Sequence, residues 1–251
     1  SVDPMDVFID PSSRDPYAQD ANHIMIAKKT MQSQLLLQYP DYKEIDTVLP
    51  WSGLPRAGIH EVLGDRGSAM GFLVFLLTKF TNNHASAIWC FQKTNLYAPG
   101  LHLFGLDPGC VIAIRTKKLN HTLWVLEEAL RASCLGAVCG EVHNVTSVAS
   151  KRLQLAARVG KTPCLLFLGN ENSVVAASTT RWRISPVTTS AYDGISGAGF
   201  LKEPLWRIEL LRCRGTSGNH QWIVKWSHET NYLSMATPLA NRPRTSKTAH
   251  K

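Results

Sequence analysis

The sequence has no long apolar run. Its longest, Met70–Leu77, falls far short of the roughly 20 residues that cross a bilayer. No charged segment followed by a cleavable apolar one opens the chain, so no secretory signal is expected and the protein is expected in the cytoplasm. Ser1–Pro4 ahead of Met5 reads as a vector remnant and is left out of the fold reading. A C-x-x-C pair is also lacking. The six cysteines, Cys90, Cys110, Cys134, Cys139, Cys164 and Cys213, lie apart, several inside apolar runs such as AIWC and CLLFL. Buried, reduced thiols are expected, with no clustered ligands for zinc. His60-Glu61 is not followed by a second histidine at metalloprotease spacing, so no metal site is expected.

What is present is an ordinary globular mix, 44 % apolar and 18 % charged. A length of 251 residues suggests one domain with appendages. The net charge of +8 favours acidic partners, nucleic acid among them.

The most informative stretch is Leu49–Phe80. A strand over Gly58–Leu63 runs into Gly64, then four residues, then an apolar helix expected from about Met70. That is the layout of a phosphate-binding loop, G-x-x-x-x-G-K-[ST]. Counting from Gly64, the last three positions are Ala69, Met70 and Gly71. A thioether replaces the ammonium that reaches the phosphates, and a hydrogen replaces the hydroxyl that holds Mg²⁺.

The rest of the chain alternates apolar strands with helices. Residues 5–20 are acidic, with Asp6, Asp10, Asp15 and Asp20 against Arg14. Ile24, Met31 and Leu35 share one face of an amphipathic helix expected over Ala21–Gln38. Strands are expected at Ser86–Phe91, Cys110–Arg115, Gly136–Val142 and Cys164–Leu168. Helices are expected from Asn120, and from a Ser147 or Ser150 cap to a stop at Gly160. Unbroken apolar strands between helices predict an α/β fold with a mostly parallel central sheet covered on both faces. Arg181–Ile184, Trp206–Arg214 and Gln221–Trp226 alternate apolar and polar residues instead, predicting an antiparallel C-terminal hairpin extension. Past Ser227 no core pattern is visible, and Arg242, Arg244, Lys247 and Lys251 suggest a basic, flexible tail.

This order of elements resembles the RecA-like core, and within it the ImuA family of RecA/SulA-like accessory proteins. The resemblance is carried by GLPRAGIHEVLG at Gly53–Gly64, LYAPGLHLFGLDP at Leu96–Pro108 and WVLEEALRA at Trp124–Ala132. It continues through AVCGEV at Ala137–Val142, KRLQLAARVG at Lys151–Gly160, TRWRISP at Thr180–Pro186 and WRIELLRCRG at Trp206–Gly215. These words are collinear over residues 49–227. They imply three parts: a lead-in with the amphipathic helix at 5–48, a RecA-like core lacking a working Walker A motif at 49–227, and the tail at 228–251.

Against RecA the resemblance also marks departures. The glutamate that polarises the attacking water falls on or near Lys93, and the metal-associated aspartate falls at Gly140 or Glu141. Gly64, Ala69, Met70, Gly71, Lys93 and Glu141 thus outline a degenerate nucleotide pocket, with no catalytic residue and no cofactor expected. The resemblance implies a non-catalytic adaptor of the damage-induced (SOS) mutasome. Such an adaptor supports error-prone translesion synthesis through ImuB, a DnaE-type polymerase and RecA, with self-association and weak DNA contact as further expectations. Two other readings stand beside it: a DNA-binding ATPase with a degenerate loop, for which Arg66 would approach the phosphate, and a SulA-like cell-division inhibitor.

Arg181, Arg183, Arg207, Arg212 and Arg214 lie among Trp182, Trp206, Trp222 and Trp226 and are candidate nucleic-acid contacts. The competing reading puts the tryptophans in the core, with Trp206, Ile208 and Leu210 pointing inward, and the arginines on a solvated face. Lys151, Arg152 and Arg158 form either a basic stripe or a solvated helix face. Ile24, Met31 and Leu35, with Tyr232, Leu233 and Met235 in the tail, are candidate partner-binding residues.

Overall fold

The structure, a computed structural model, describes residues 36–37, 43–81, 85–92, 96–169, 175–187, 203–216 and 219–236. In chain order the elements are β1 (Leu36–Leu37), α1 (Lys43–Asp46), β2 (Leu54–Pro55), β3 (Ile59–Gly64), α2 (Arg66–Phe80), β4 (Ala87–Phe91) and α3 (Ala98–His102). A 3-10 turn at Pro108–Cys110 leads to β5 (Val111–Arg115), α4 (Leu119–Arg131), β6 (Ala137–Val142), α5 (Ser147–Gly160) and β7 (Cys164–Leu168). The last four strands are β8 (Thr180–Pro186), β9 (Leu205–Cys213), β10 (His220–Ser227) and β11 (Tyr232–Met235).

Nine strands form one sheet in the order β11-β10-β9-β8-β3-β7-β6-β4-β5. From β8 to β5 neighbours run parallel, and β9, β10 and β11 extend the sheet antiparallel. The central strands β3 and β7 are covered on both faces, so every residue of CLLFL is buried. The fold class expected from the sequence is the one observed.

Each sheet face carries its own core. α2 lies on one face with Trp89, Trp182, Trp206 and Trp226. α4 and α5 cover the other, through Leu126, Ala129 and Leu130 from the first and Leu153, Ala156 and Ala157 from the second. Each fully buried leucine here contributes on the order of 2 kcal/mol relative to exposure. α4 and α5 approach closely at Gly160, where a Cβ would overlap the Leu130 carbonyl. Gly160 is therefore a packing glycine, and the left-handed residue that stops α5 is Lys161, at φ 53°. No helix among the described residues is long and apolar enough to cross a membrane.

The described fold continues past Ser227, where the sequence reading ends the core. Tyr232–Met235 forms β11 on the edge of β10, with Trp226 opposite Leu233. Leu233 is 2 % exposed and belongs to the α2-side core, while Tyr232 and Met235 pack against it. Leu233 is thus a core residue and Tyr232 and Met235 are half-buried against it, which corrects their reading as a free docking segment. Leu36 and Leu37 pair as a strand with Pro55 and Leu54, not as helix. Ile24, Met31, Leu35 and residues 237–251 lie outside the described residues, as does Lys93.

Helix caps also differ. Thr146 caps α5, its hydroxyl accepting from the Ala149 N–H at 3.2 Å. α4 starts at Leu119 after Lys118, with no side-chain cap. Among the cysteines, Cys90, Cys139, Cys164 and Cys213 are buried, Cys110 is half-buried and Cys134 is exposed; all six are free thiols. Burial pushes the Cys139 and Cys164 thiols up, away from the reactive thiolate.

Candidate functional site

The end of β3 is where a phosphate loop would sit. Gly64 has φ +113°, and a Cβ there would overlap the Ile184 carbonyl, which accepts the Asp65 N–H at 3.0 Å, so both backbone angle and space require glycine. The chain then enters α2 at once. Only Asp65 separates strand from helix, and α2 begins at Arg66 rather than near Met70. A phosphate loop presents successive backbone N–H groups around the anion; here the residues that would form it are already helical.

The remaining helix terminus is occupied from within. The Asp65 carboxylate accepts the Ser68 N–H at 2.9 Å, capping α2. That bond, at the positive end of a helix dipole, holds the Asp65 carboxyl below its usual range. An anion already sits where a phosphate would be drawn. Beside it, Arg66 donates to both Glu141 oxygens at 3.1 Å and lies 5.3 Å from the centre of the Phe167 ring. A Glu141 carboxylate thus offsets the charge of Arg66, the cation at this helix terminus among the described residues.

The two degenerate positions have structural reasons. A Cβ on Gly71 would come within 2.7 Å of the Trp206 ring and 3.0 Å of Phe104, so only glycine fits between them. Met70 is half-buried and, with Val74, Trp89, Phe91, Leu101 and Phe104, lines an apolar cleft of about 230 Å³. Arg66, Tyr97 and Glu141 also line it. Ala69 is fully buried in the core. Gly64, Met70, Gly71 and Glu141 do come together at this end of the sheet, but around apolar surface and a neutralised ion pair.

Two ImuA proteins from Caulobacter vibrioides, of strains NA1000 / CB15N and ATCC 19089 / CIP 103742 / CB 15, are each 32 % identical to the chain over 188 residues. Each alignment covers 68 % of this chain and 76 % of its relative. The chain belongs to the ImuA family. The fold of this ImuA-family chain is similar to the crystal structure of the RadB recombinase. The TM-score is 0.55 at 11 % identity, over 78 % of this chain and 97 % of that one. This is a likeness of fold, and it places the ImuA-family chain on a RecA-like core. No family model matches the chain.

The five candidate arginines of this ImuA-family chain do not form one surface. Arg181 is 8 % exposed and its Nη1 donates to Glu61 Oε2 at 2.8 Å, 120 residues away in sequence. Burial pushes the Glu61 carboxyl up, while Ser178 and Arg181 pull it back toward the ionised form. Arg181 is therefore a core cation, which corrects its assignment as a nucleic-acid contact. Arg183 faces Glu209 at 3.9 Å. Arg207, Arg212 and Arg214 are exposed; the latter two donate to the Ala176 and Ala177 carbonyls at 3.3 and 3.4 Å.

Trp206, Ile208 and Leu210 point inward together, so the tryptophans fill the core. Trp206 stacks on Phe104 at 6.0 Å, and Trp226 lies 5.1 Å from the same ring. Sequence reasoning missed the buried pair Glu61–Arg181, although a glutamate inside the otherwise apolar strand IHEVLG was its signal. It also missed His60, whose ring nitrogens sit 2.8 Å from Thr180 Oγ1 and 2.9 Å from the Pro55 carbonyl. Full burial pushes that imidazole down to about 4, so it is neutral at physiological pH.

Proposed function

We infer that this chain is a non-catalytic, RecA-like adaptor of the damage-induced mutasome, supporting error-prone translesion synthesis. Its partners would be ImuB, an error-prone DnaE-type polymerase and RecA. Membership of the ImuA family supports the setting. The observation that carries the non-catalytic reading is the one-residue link at Asp65, whose carboxylate caps α2 at the phosphate position. A RecA-like core with that position filled from within retains its surfaces as the means of acting, since function resides in sites and not in the scaffold.

Two measurements test the reading. Calorimetric titration with Mg-ATP is expected to give no binding in the micromolar range, and turnover is expected at background. A pull-down with the full chain as bait is expected to retain ImuB, the polymerase or RecA. Tight Mg-ATP binding with turnover would overturn the adaptor in favour of an ATPase, and retention of none of the three would remove the mutasome role.

A further inference from the structure

The outer face of α5 departs from an ordinary solvated helix surface. Val148, Leu155 and Val159 are 70 %, 58 % and 61 % exposed, and they alternate along one stripe with Lys151, Arg152 and Arg158. Trp124 of α4, 63 % exposed, lines the same cleft as Val148 and Arg152, about 320 Å³ in volume. On the other flank of α5, Lys151, Leu155, Arg158 and Arg214 line a second cleft of about 410 Å³. α5 itself carries no acidic residue. The one carboxylate beside it that faces Arg152, Glu127, is also held by Arg131 at 2.8 Å. The face is thus apolar in its anchors and, Glu127 apart, basic among the described residues.

The complementary chemistry is present in this chain. Residues 5–20, MDVFIDPSSRDPYAQD, carry Val7, Phe8 and Ile9 between Asp6 and Asp10, with Asp15 and Asp20 beyond and Arg14 as the one cation. The described fold starts close to α5. Leu36 pairs with Pro55, and two residues on, the Ala57 carbonyl accepts from Gln154 Nε2 of α5 at 3.2 Å. The 15 residues between Asp20 and Leu36 span up to about 50 Å when extended, well beyond that separation. A tethered segment also meets its site at millimolar effective concentration, so a weak contact is enough to hold it.

We propose that residues 5–20 dock in cis on the outer face of α5 and the adjoining Trp124 cleft. Phe8 and its neighbours meet Leu155, Val148 and Trp124, and the aspartates meet Lys151, Arg152 and Arg158. The segment covers this apolar-basic face of the described domain and is displaced by any acidic-apolar segment that binds the face more tightly. This goes beyond the adaptor reading and does not depend on it, because the test reads neither nucleotide nor partner capture.

The test is zero-length carbodiimide cross-linking of the full chain, read by peptide mass spectrometry. Links from Asp6, Asp10, Asp15 or Asp20 are expected on Lys151 and Lys161 in preference to Lys79 and Lys225. Their yield is expected to fall about fivefold at about 0.5 M salt, where the screening length drops to a few ångströms. It is expected to fall comparably in Leu155→Ser with Trp124→Ser, and separately in Phe8→Ser with Ile9→Ser. The exposed positions of the first pair leave the core intact, which a melting curve verifies. An equal mixture of light and heavy nitrogen-labelled chains is expected to give links within one label only. Mixed-label links would overturn docking in cis and assign the face to a second copy. Links spread evenly over the lysines, links indifferent to both variant pairs, or no links at all would overturn it outright and leave the face to a separate partner.

Discussion

α2 and α5 each follow a strand of the same sheet and differ by one residue in length, yet they use their surfaces in opposite ways. α2 buries side chains all around, from Phe72, Leu73 and Leu76 against the sheet to Val74 and Phe75 beneath Trp226 and its neighbours. Its first cation is neutralised by Glu141 and its terminus is capped by Asp65. α5 buries Leu153, Ala156 and Ala157 and leaves its outer half to solvent with both apolar and basic groups. In the RecA-like layout α2 is the helix that would meet nucleotide. In this chain its terminus is capped by Asp65 and its first cation is paired with Glu141, while exposed apolar and basic groups lie together on α5, across the sheet.

The contrast can be broken most severely from the interior. Arg181→Ala strands the Glu61 carboxylate between β3 and β8. It is expected to cost about 3–5 kcal/mol in urea unfolding, the penalty typical of removing one partner of a buried pair; an effect below about 1 kcal/mol would mean that Glu61 is not held as a buried ion. A second interior test uses pH. The folded His60 titrates near 4 against about 6.5 unfolded, so the unfolded chain takes up its proton first on acidification. Stability is therefore expected to be insensitive to this group above pH 6.5. It is then lost between about pH 6.5 and 4, by about 3 kcal/mol in all. His60→Gln should flatten that part of the profile.

Gly71→Thr tests the packing around α2 directly. The substitution supplies the hydroxyl that a phosphate loop would carry, yet Trp206 and Phe104 occupy its place. A loss of about 1–3 kcal/mol from overpacking is expected, with no gain in Mg-ATP affinity even when it is combined with Met70→Lys. The smallest effect belongs to α5. Leu155→Asp is expected to change stability by no more than about 0.5 kcal/mol, because its side chain lies outside the packed core of the described domain. A cost of several kcal/mol would place the α5 face inside the cooperative core.

Much of this was legible before any coordinates. Parallel strands buried on both faces read as apolar runs, so β4 and β7 were visible as AIWCF and CLLFL, and β3 and β6 as IHEVLG and AVCGEV despite their glutamates. The alternation in WRIELL gave the inward face of β9. The collapse of the phosphate loop was not visible from spacing, because G-x-x-x-x-G counts residues and is blind to where a helix starts. The local sign was Asp65 three residues before Ser68, a capping pair that pulls the helix start forward to Arg66. β11 was missed because a four-residue edge strand offers one inward side chain, Leu233, too little for a periodic pattern. The Thr146 cap and the uncapped start of α4 at Leu119 escaped for a related reason: neighbouring serine, threonine and asparagine residues compete, and tertiary packing chooses among them. The buried Glu61–Arg181 pair depends on a register between strands 120 residues apart, which no local window contains.

That same register sets a timetable for synthesis. β3 lies between β7 and β8, so its second hydrogen-bonded edge cannot form until Thr180–Pro186 has emerged, and Trp206 and Trp226 arrive later still. At about 5–20 residues per second, the 120 residues from Glu61 to Arg181 take roughly 6–24 s to make. For that time α2, apolar on nearly every side, has left the ribosome without its permanent cover. The nascent chain is expected to expose this apolar surface during the interval, and refolding from denaturant is expected to be slow because its central strand pairs only after a long loop has closed.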